Sequence, residues 1–216
     1  MKPIYLKLSK PFSELDVASS RFWGNPALPV GMDYPQYIDD EGDEYPYVFI
    51  CQINLAELKA FSPENPLPST GLLLFFAKID HYLGQFAATD IIGGAISPGD
   101  AVKVIYVNDD ADLHVVALVD DDDREISPSE MEIKFTYDHD PLEDEDTCLF
   151  ALPDHREWET WDHPYEDWQI LLQIDSFSGM DFNLNFMDFG VLDFIISPDS
   201  LKTSDFSDVR GIVLST

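Results

Sequence analysis

Chemistry in this sequence would have to come from the few places where recognising or reactive side chains gather. The densest is the stretch from Asp154 to Trp168. Trp158, Trp161, Tyr165 and Trp168 interleave there with Asp154, His155, Glu157, Glu159, Asp162, His163, Glu166 and Asp167, and three of the four tryptophans fall within eleven residues. Aromatic faces beside carboxylates can hold a cationic group or a sugar ring, or anchor a protein contact. Ordinary packing of a loop is the plainer role for the same residues. Gln52 and Gln173 form a second candidate, because each is a polar residue in the middle of an apolar run. A buried amide requires partners, so each is expected to bond across to a loop or to the other half of the chain. The functional alternative places both amides in one cleft with Trp23 and the Trp158–Trp168 segment.

Metal and catalytic motifs are weaker. Asp121, Asp123, Glu125 and Glu132 stand at positions 1, 3, 5 and 12 of a calcium-loop pattern, but Ile126 occupies the place of its sharp-turn glycine and Pro128 follows. His155 and His163 are eight apart, with no HExxH or Cys/His cluster around them. A GxSxG elbow, a phosphate-binding glycine loop and a dinucleotide fingerprint are all missing, and Gly93-Gly94 alone reads as a turn. No catalytic residue, metal ligand set or cofactor is therefore assigned, and the expectation leans away from an enzyme.

Charge narrows the partners. Forty-two Asp and Glu against twelve Lys and Arg give a formal net charge of −30 over 216 residues. Lys and Arg contacts to phosphate supply most nucleic-acid affinity, so nucleic acid is excluded as an expected partner, and anionic membrane surfaces are disfavoured for the same reason. A field of this sign speeds encounter with a basic partner. Solubility alone is the simpler explanation. Aromatics make up 13% of the chain, which excludes a disordered acidic tail. Cys51 lies in the apolar run Tyr47 to Cys51 and reads as a buried thiol; neither it nor Cys148 has a CxxC partner. Without a leader-like or membrane-spanning run, the expected compartment is the cytoplasm.

The elements that would position these groups read as follows. Ser13 to Phe22 suggests a short helix with Ser13 as N-cap. A Pro- and Gly-punctuated loop, Trp23 to Gly31, comes next. Strands are expected at 47–53, 71–76, 102–107 and 113–119, and at 131–137, where Met131, Ile133, Phe135 and Tyr137 alternate with polar residues. Asn54 caps a helix through Phe61, and Ser197 with Pro198 starts another over 198–202. Sixteen carboxylates and two basic residues lie between Asp109 and Asp146, chiefly in turns.

An approximate repeat organises these elements. Phe49-Ile50-Cys51-Gln52-Ile53-Asn54 is answered by Ile170-Leu171-Leu172-Gln173-Ile174-Asp175. Each copy is followed by Gly-apolar-Leu-x-Phe, beginning at Gly71 and at Gly190, 19 and 17 residues after the glutamine. A duplicated strand–connection–strand unit follows, since one such unit could not bury its own face. The expected fold class is α+β, mainly antiparallel sheets with short helices and internally duplicated. The whole of 1–216 is expected to form one domain: half one at about 22–80, an acidic strand-rich middle at about 100–147, half two at about 165–216.

These blocks resemble the YwqG-like family of bacterial proteins of unknown function. The matching segments are Phe22-Trp23-Gly24-Asn25-Pro26-Ala27-Leu28-Pro29, Phe49 to Leu55, Leu67-Pro68 to Phe76, Leu171 to Ser176, Asp188-Phe189-Gly190, Phe194-Ile195-Ile196 and Asp205-Phe206-Ser207. The chain departs from the family at Gly24-Asn25, where a glycine pair is usual, and at Asp154–Trp161, where a His- and Gly-Tyr-Pro-containing segment is usual. The family carries no settled activity, but some relatives look like immunity proteins of bacterial toxin systems. Together, charge and resemblance suggest a non-enzymatic interaction protein that masks a basic protein partner. The alternative is a small-ligand or carbohydrate-binding protein, or a hydrolase, with a cleft between the repeat halves.

Overall fold

The computed structural model describes residues 2–39, 41–79, 96–97, 99–120, 122, 124–140, 145–152, 164–177, 179–186 and 189–214. Strand takes 39% of these residues and helix 7%, and the main sheet curls into a nearly closed barrel. The α+β expectation is thereby corrected to a mainly antiparallel β fold. The two helices among the described residues, α1 (Leu55–Phe61) and α2 (Pro198–Thr203), are too short to form a layer. The helix expected over Ser13–Phe22 is absent. Its carbonyls are taken by tertiary donors: Arg21 reaches those of Asp16 and Val17, Gln52 those of Val17 and Ser19, and Asn54 that of Ala18. Turned toward these donors, the carbonyls do not line up along one axis as an i to i+4 ladder requires.

The first strands are β1 (Ile4–Ser9), β2 (Arg21–Phe22), β3 (Ala27–Pro29), β4 (Gln36–Ile38), β5 (Glu44–Pro46), β6 (Val48–Asn54) and β7 (Leu72–Ala77). They are followed by β8 (Val102–Val107), β9 (Leu113–Val115), β10 (Met131–Thr136), β11 (Cys148–Leu149), β12 (Gln169–Asp175), β13 (Val191–Ile196) and β14 (Arg210–Leu214). Ten of them make one antiparallel sheet in the order β14-β13-β12-β11-β1-β10-β2-β6-β7-β8, while β3–β9 and β4–β5 form two small ribbons.

From its centre outward the main sheet has a pseudo-twofold axis. β1 and β10 cross there with Lys7 opposite Lys134, and the two strands share one burial pattern. Ile4 pairs Leu149 on one side, and Met131 pairs Phe22 on the other. Next, Cys148 pairs Gln173 as Arg21 pairs Gln52. Both glutamine strands carry a register irregularity just before the glutamine, at Phe49/Cys51 and at Ile170/Leu172. Trp23 and Phe150, the residues after β2 and β11, share a left-handed φ of 57°. Each donates its N–H into one of these bulges, to the Ile50 and Leu171 carbonyls.

In chain order the two units are therefore β1-β2-β6-β7-β8 and β10-β11-β12-β13-β14, with their first strands exchanged. β1 lies beside β11 of the other unit, and β10 lies beside β2. The register thus places residues 131–149, grouped in sequence with an acidic middle, at the start of the second unit. Exchange gives both first strands two neighbours and leaves no edge at the centre.

The barrel interior is filled from both units, and the equivalent residues Phe75 and Phe194 meet edge-on at 5.4 Å. Two smaller apolar clusters line the outer faces. That of the first unit is built around Leu28, Phe49, Leu74 and Phe76, and that of the second around Trp168, Ile170, Ile195 and Ile212. Asn54 caps α1 by accepting from the Ala56 and Glu57 amides. Glu57 does not close a reciprocal box; its carboxylate accepts from the Ser20 amide. Cys51 and Cys148 are buried and form no disulfide, and burial pushes the Cys51 thiol well up. Among the described residues no helix is long and apolar enough to cross a membrane.

Candidate functional site

The sheet stops short of closure between its two edge strands, β8 and β14. A cleft of about 400 Å³ opens at this seam, within the range of small-molecule sites. One wall is Asp100, Val102, Lys103 and Val104; the other is Phe206, Ser207 and Val209. The pseudo-twofold axis explains the pairing of walls. Phe76 opposes Lys103 as Ile195 opposes Arg210, and Val102 is the counterpart of Val209. The cleft therefore sits where the two units face one another, opposite the Lys7–Lys134 crossing.

Sequence and local structure together charge this seam. Lys103 is exposed on β8 with its ammonium 5.9 Å from the centre of the Tyr47 ring, and among the described residues it forms no ion pair. Lys78 lies 2.6 Å from the Asp100 carboxylate. That hydrogen bond, aided by Arg210, holds the Asp100 carboxyl below its usual range despite partial burial. The Tyr47 hydroxyl donates to the Asp100 carbonyl, and burial, with the charge of Asp100 and then Tyr37, pushes its pKa up to about 12. Arg210 is held by Asp208 at 2.6 Å and lies against Gly99, where an added Cβ would stand 3.1 Å from its Nη1. Of the twelve cations in a chain of net charge −30, Lys103 lines the cleft, and Lys78 and Arg210 lie behind its lining residues Asp100 and Gly99. Its groups are suited to holding an anion and an apolar body; they contain no paired nucleophile and base.

The residues singled out in the sequence lie elsewhere. Trp23 is fully buried, stacked at 5.2 Å on Phe177 and edge-on to Phe182. Gln52 is fully buried with its amide fully used: it accepts from Ala27 N–H and donates to the Val17 and Ser19 carbonyls. Gln173 is half-buried and donates to the Asp146 carbonyl, the equivalent of one of those bonds. Both glutamines face outward, five strand positions apart, a span of roughly 24 Å along the sheet. They do not meet in one cleft. Tyr165 and Trp168 pack edge-on at 4.8 Å in the outer cluster of the second unit. Trp158 and Trp161 lie outside the described residues, as do His155, His163, Asp121, Asp123 and the Gly93-Gly94 turn. Of the calcium pattern, Glu125 accepts from Asn25 and Glu132 pairs with Lys134. Among the described residues no three His, Cys, Asp or Glu side chains are placed to hold a metal.

The cleft was missed because its walls come from residues that carry no motif, and their juxtaposition depends on sheet closure. The available signal was Lys103, a lone cation in the apolar run from Val102 to Val107.

The two glutamines, equivalent in the sheet, should differ in energetic weight. Gln52→Leu strands one amide and two carbonyls and is expected to cost about 2 kcal/mol, while Gln173→Leu should cost under about 1 kcal/mol because water reaches its partner. Urea unfolding of the two variants checks this; equal losses would contradict it.

The sequence matches the family described as Domain of unknown function (DUF1963) over residues 20–213, and the chain belongs to that family. The match begins just before β2 and ends within β14, so it takes in the seam and both glutamine strands. No curated protein matches the sequence.

Proposed function

We propose that this is a cytoplasmic, non-enzymatic binding protein whose acidic surface masks a basic protein partner. The observation that carries the reading is the charge of −30, with carboxylates set beside exposed apolar side chains. On the segment from β3 to β5, Val30, Met32, Ile38 and Tyr45 are exposed. Exposed Asp33, Glu41, Asp43 and Glu44 lie in the same segment. Carboxylates of this kind steer encounter, and an exposed aromatic supplies short-range energy. The resemblance to YwqG-like proteins, some of which look like toxin-immunity proteins, supports the same reading.

The test is capture from native lysate on the immobilised full chain, with elution by rising salt and a parallel column carrying Tyr45→Ala. The expected result is one basic protein, released as salt rises and weakened at least about tenfold by the substitution. Capture that is indifferent to salt, or no enriched basic protein, removes the reading.

A second reading, a small-ligand-binding protein, is favoured by one observation, the cleft at the seam.

A further inference from the structure

We propose that the seam cleft binds a small amphipathic anion, with its charged head on Lys103 and its apolar body between Val102 and Val104 on one wall and Phe206 and Val209 on the other. This rests on the small-ligand reading and names its ligand class. Three observations converge on it.

The first is shape and lining. A cleft of about 400 Å³ opens between the two edge strands of the main sheet, and Val102, Val104, Phe206 and Val209 line it together with Asp100, Lys103 and Ser207. Its volume admits a chain of about ten carbons, and its valines and phenylalanine offer such a chain contact and a sugar few hydrogen bonds. The second is charge. Carboxylates outnumber cations 42 to 12, yet among the described residues Lys103 has no carboxylate partner. Its pseudo-symmetric counterpart Arg210 is neutralised by Asp208, and Lys78 by Asp100. Among the described residues the Lys103 ammonium is thus left over at the cleft, beside the Tyr47 ring, while the Asp100 carboxylate in the same lining is held by Lys78. A ligand anion completes a pairing that Arg210 already has, and such charge-assisted contacts are the strong ones. The third is symmetry. The cleft lies on the axis relating the two units, so a single occupant touches both. At physiological salt the Debye length is about 8 Å, so the remote carboxylates do not cancel the local cations.

The test uses isothermal calorimetry of the full chain with three probes kept below their aggregation concentrations: decanoate, decanol and decyltrimethylammonium. Decanoate is expected to bind at least about tenfold more tightly than decanol, and the cation not at all. Lys103→Gln, an exposed substitution that leaves the core intact, should bring decanoate down to the decanol value. Ser207→Trp, at the exposed mouth, should block both.

If decanol binds wild type as tightly as decanoate, or Lys103→Gln leaves decanoate affinity unchanged, anion recognition is overturned while the small-ligand reading stands. If none of the three probes binds, both fall.

Discussion

Asp193→Leu is expected to stabilise the protein by roughly 3 kcal/mol at pH 7 and to flatten its pH dependence. Asp193 is 1% exposed in the middle of β13, and among the described residues neither carboxylate oxygen has a hydrogen-bond partner. Its cross-strand neighbours are Gln173 and Ile212. The pseudo-twofold axis supplies the control, because the equivalent residue of β7 is Leu74, opposite Gln52 and fully buried. A leucine thus already fits this position once in the same architecture.

Burial pushes the Asp193 carboxyl well above its ordinary value, so it stays protonated in the folded chain after the unfolded chain has ionised. Below an unfolded pKa of about 3.9 both states hold the proton and the group adds no pH dependence. Above it the unfolded state sheds the proton first, and stability falls with rising pH by up to about 1.4 kcal/mol per unit until the folded group also ionises. Asp193→Leu removes that decline. Asp193→Asn also removes it but gains less, since an unpaired amide remains buried. Urea unfolding between pH 4 and pH 8 measures both effects. A wild-type slope retained in Asp193→Asn would show that the slope belongs to another group.

What could be read from the sequence follows the range of the forces involved. The repeat was legible because Gln52 and Gln173 each stand in an apolar strand and donate to carbonyls of the loop before the neighbouring short strand. α2 was legible from Ser197 and Pro198, and α1 from Asn54, since a cap acts within three residues. The Ser13–Phe22 helix was misread because Arg21, Gln52 and Asn54 take its carbonyls, and two of these donors are more than thirty residues away. The exchange of β1 and β10 left no local mark. Ile4-Tyr5-Leu6-Lys7-Leu8-Ser9 and Met131-Glu132-Ile133-Lys134-Phe135-Thr136 have matching patterns, so either could have paired within its own unit. The seam cleft depends in turn on that exchange and on closure of the sheet. Trp23 and Gln52 were singled out for being unusual in their surroundings, and packing of the loop at 17–28 accounts for both.

The glycines that mark the repeat should prove to be its most sensitive positions. Gly71 and Gly190 precede β7 and β13, and the carbonyl of each accepts from the residue that follows its own unit's glutamine strand: Leu55 N–H donates to Gly71 O and Ser176 N–H to Gly190 O. A Cβ on Gly71 would stand 2.3 Å from the Val107 carbonyl oxygen, and one on Gly190 would stand 2.1 Å from that of Leu214. Both obstacles are backbone atoms of the neighbouring edge strand, so no rotamer change relieves them. Gly190→Ala and Gly71→Ala are therefore expected to cost about 4 kcal/mol each, through displacement of β14 and β8. Gly71 adds a left-handed φ of 91°, whereas Gly190 does not. Gly31→Ala separates the two causes. Gly31 has a φ of 89° and nothing within 4 Å of an added Cβ, so its loss should be only the conformational penalty of roughly 1–2 kcal/mol. Chemical denaturation of the three variants gives the comparison. Because β8 and β14 also wall the seam, the two costly variants should lose decanoate binding while Gly31→Ala keeps it. A Gly190→Ala protein as stable as Gly31→Ala would mean that the edge strand can move aside without cost, and the seam would then have no fixed geometry with which to recognise a ligand.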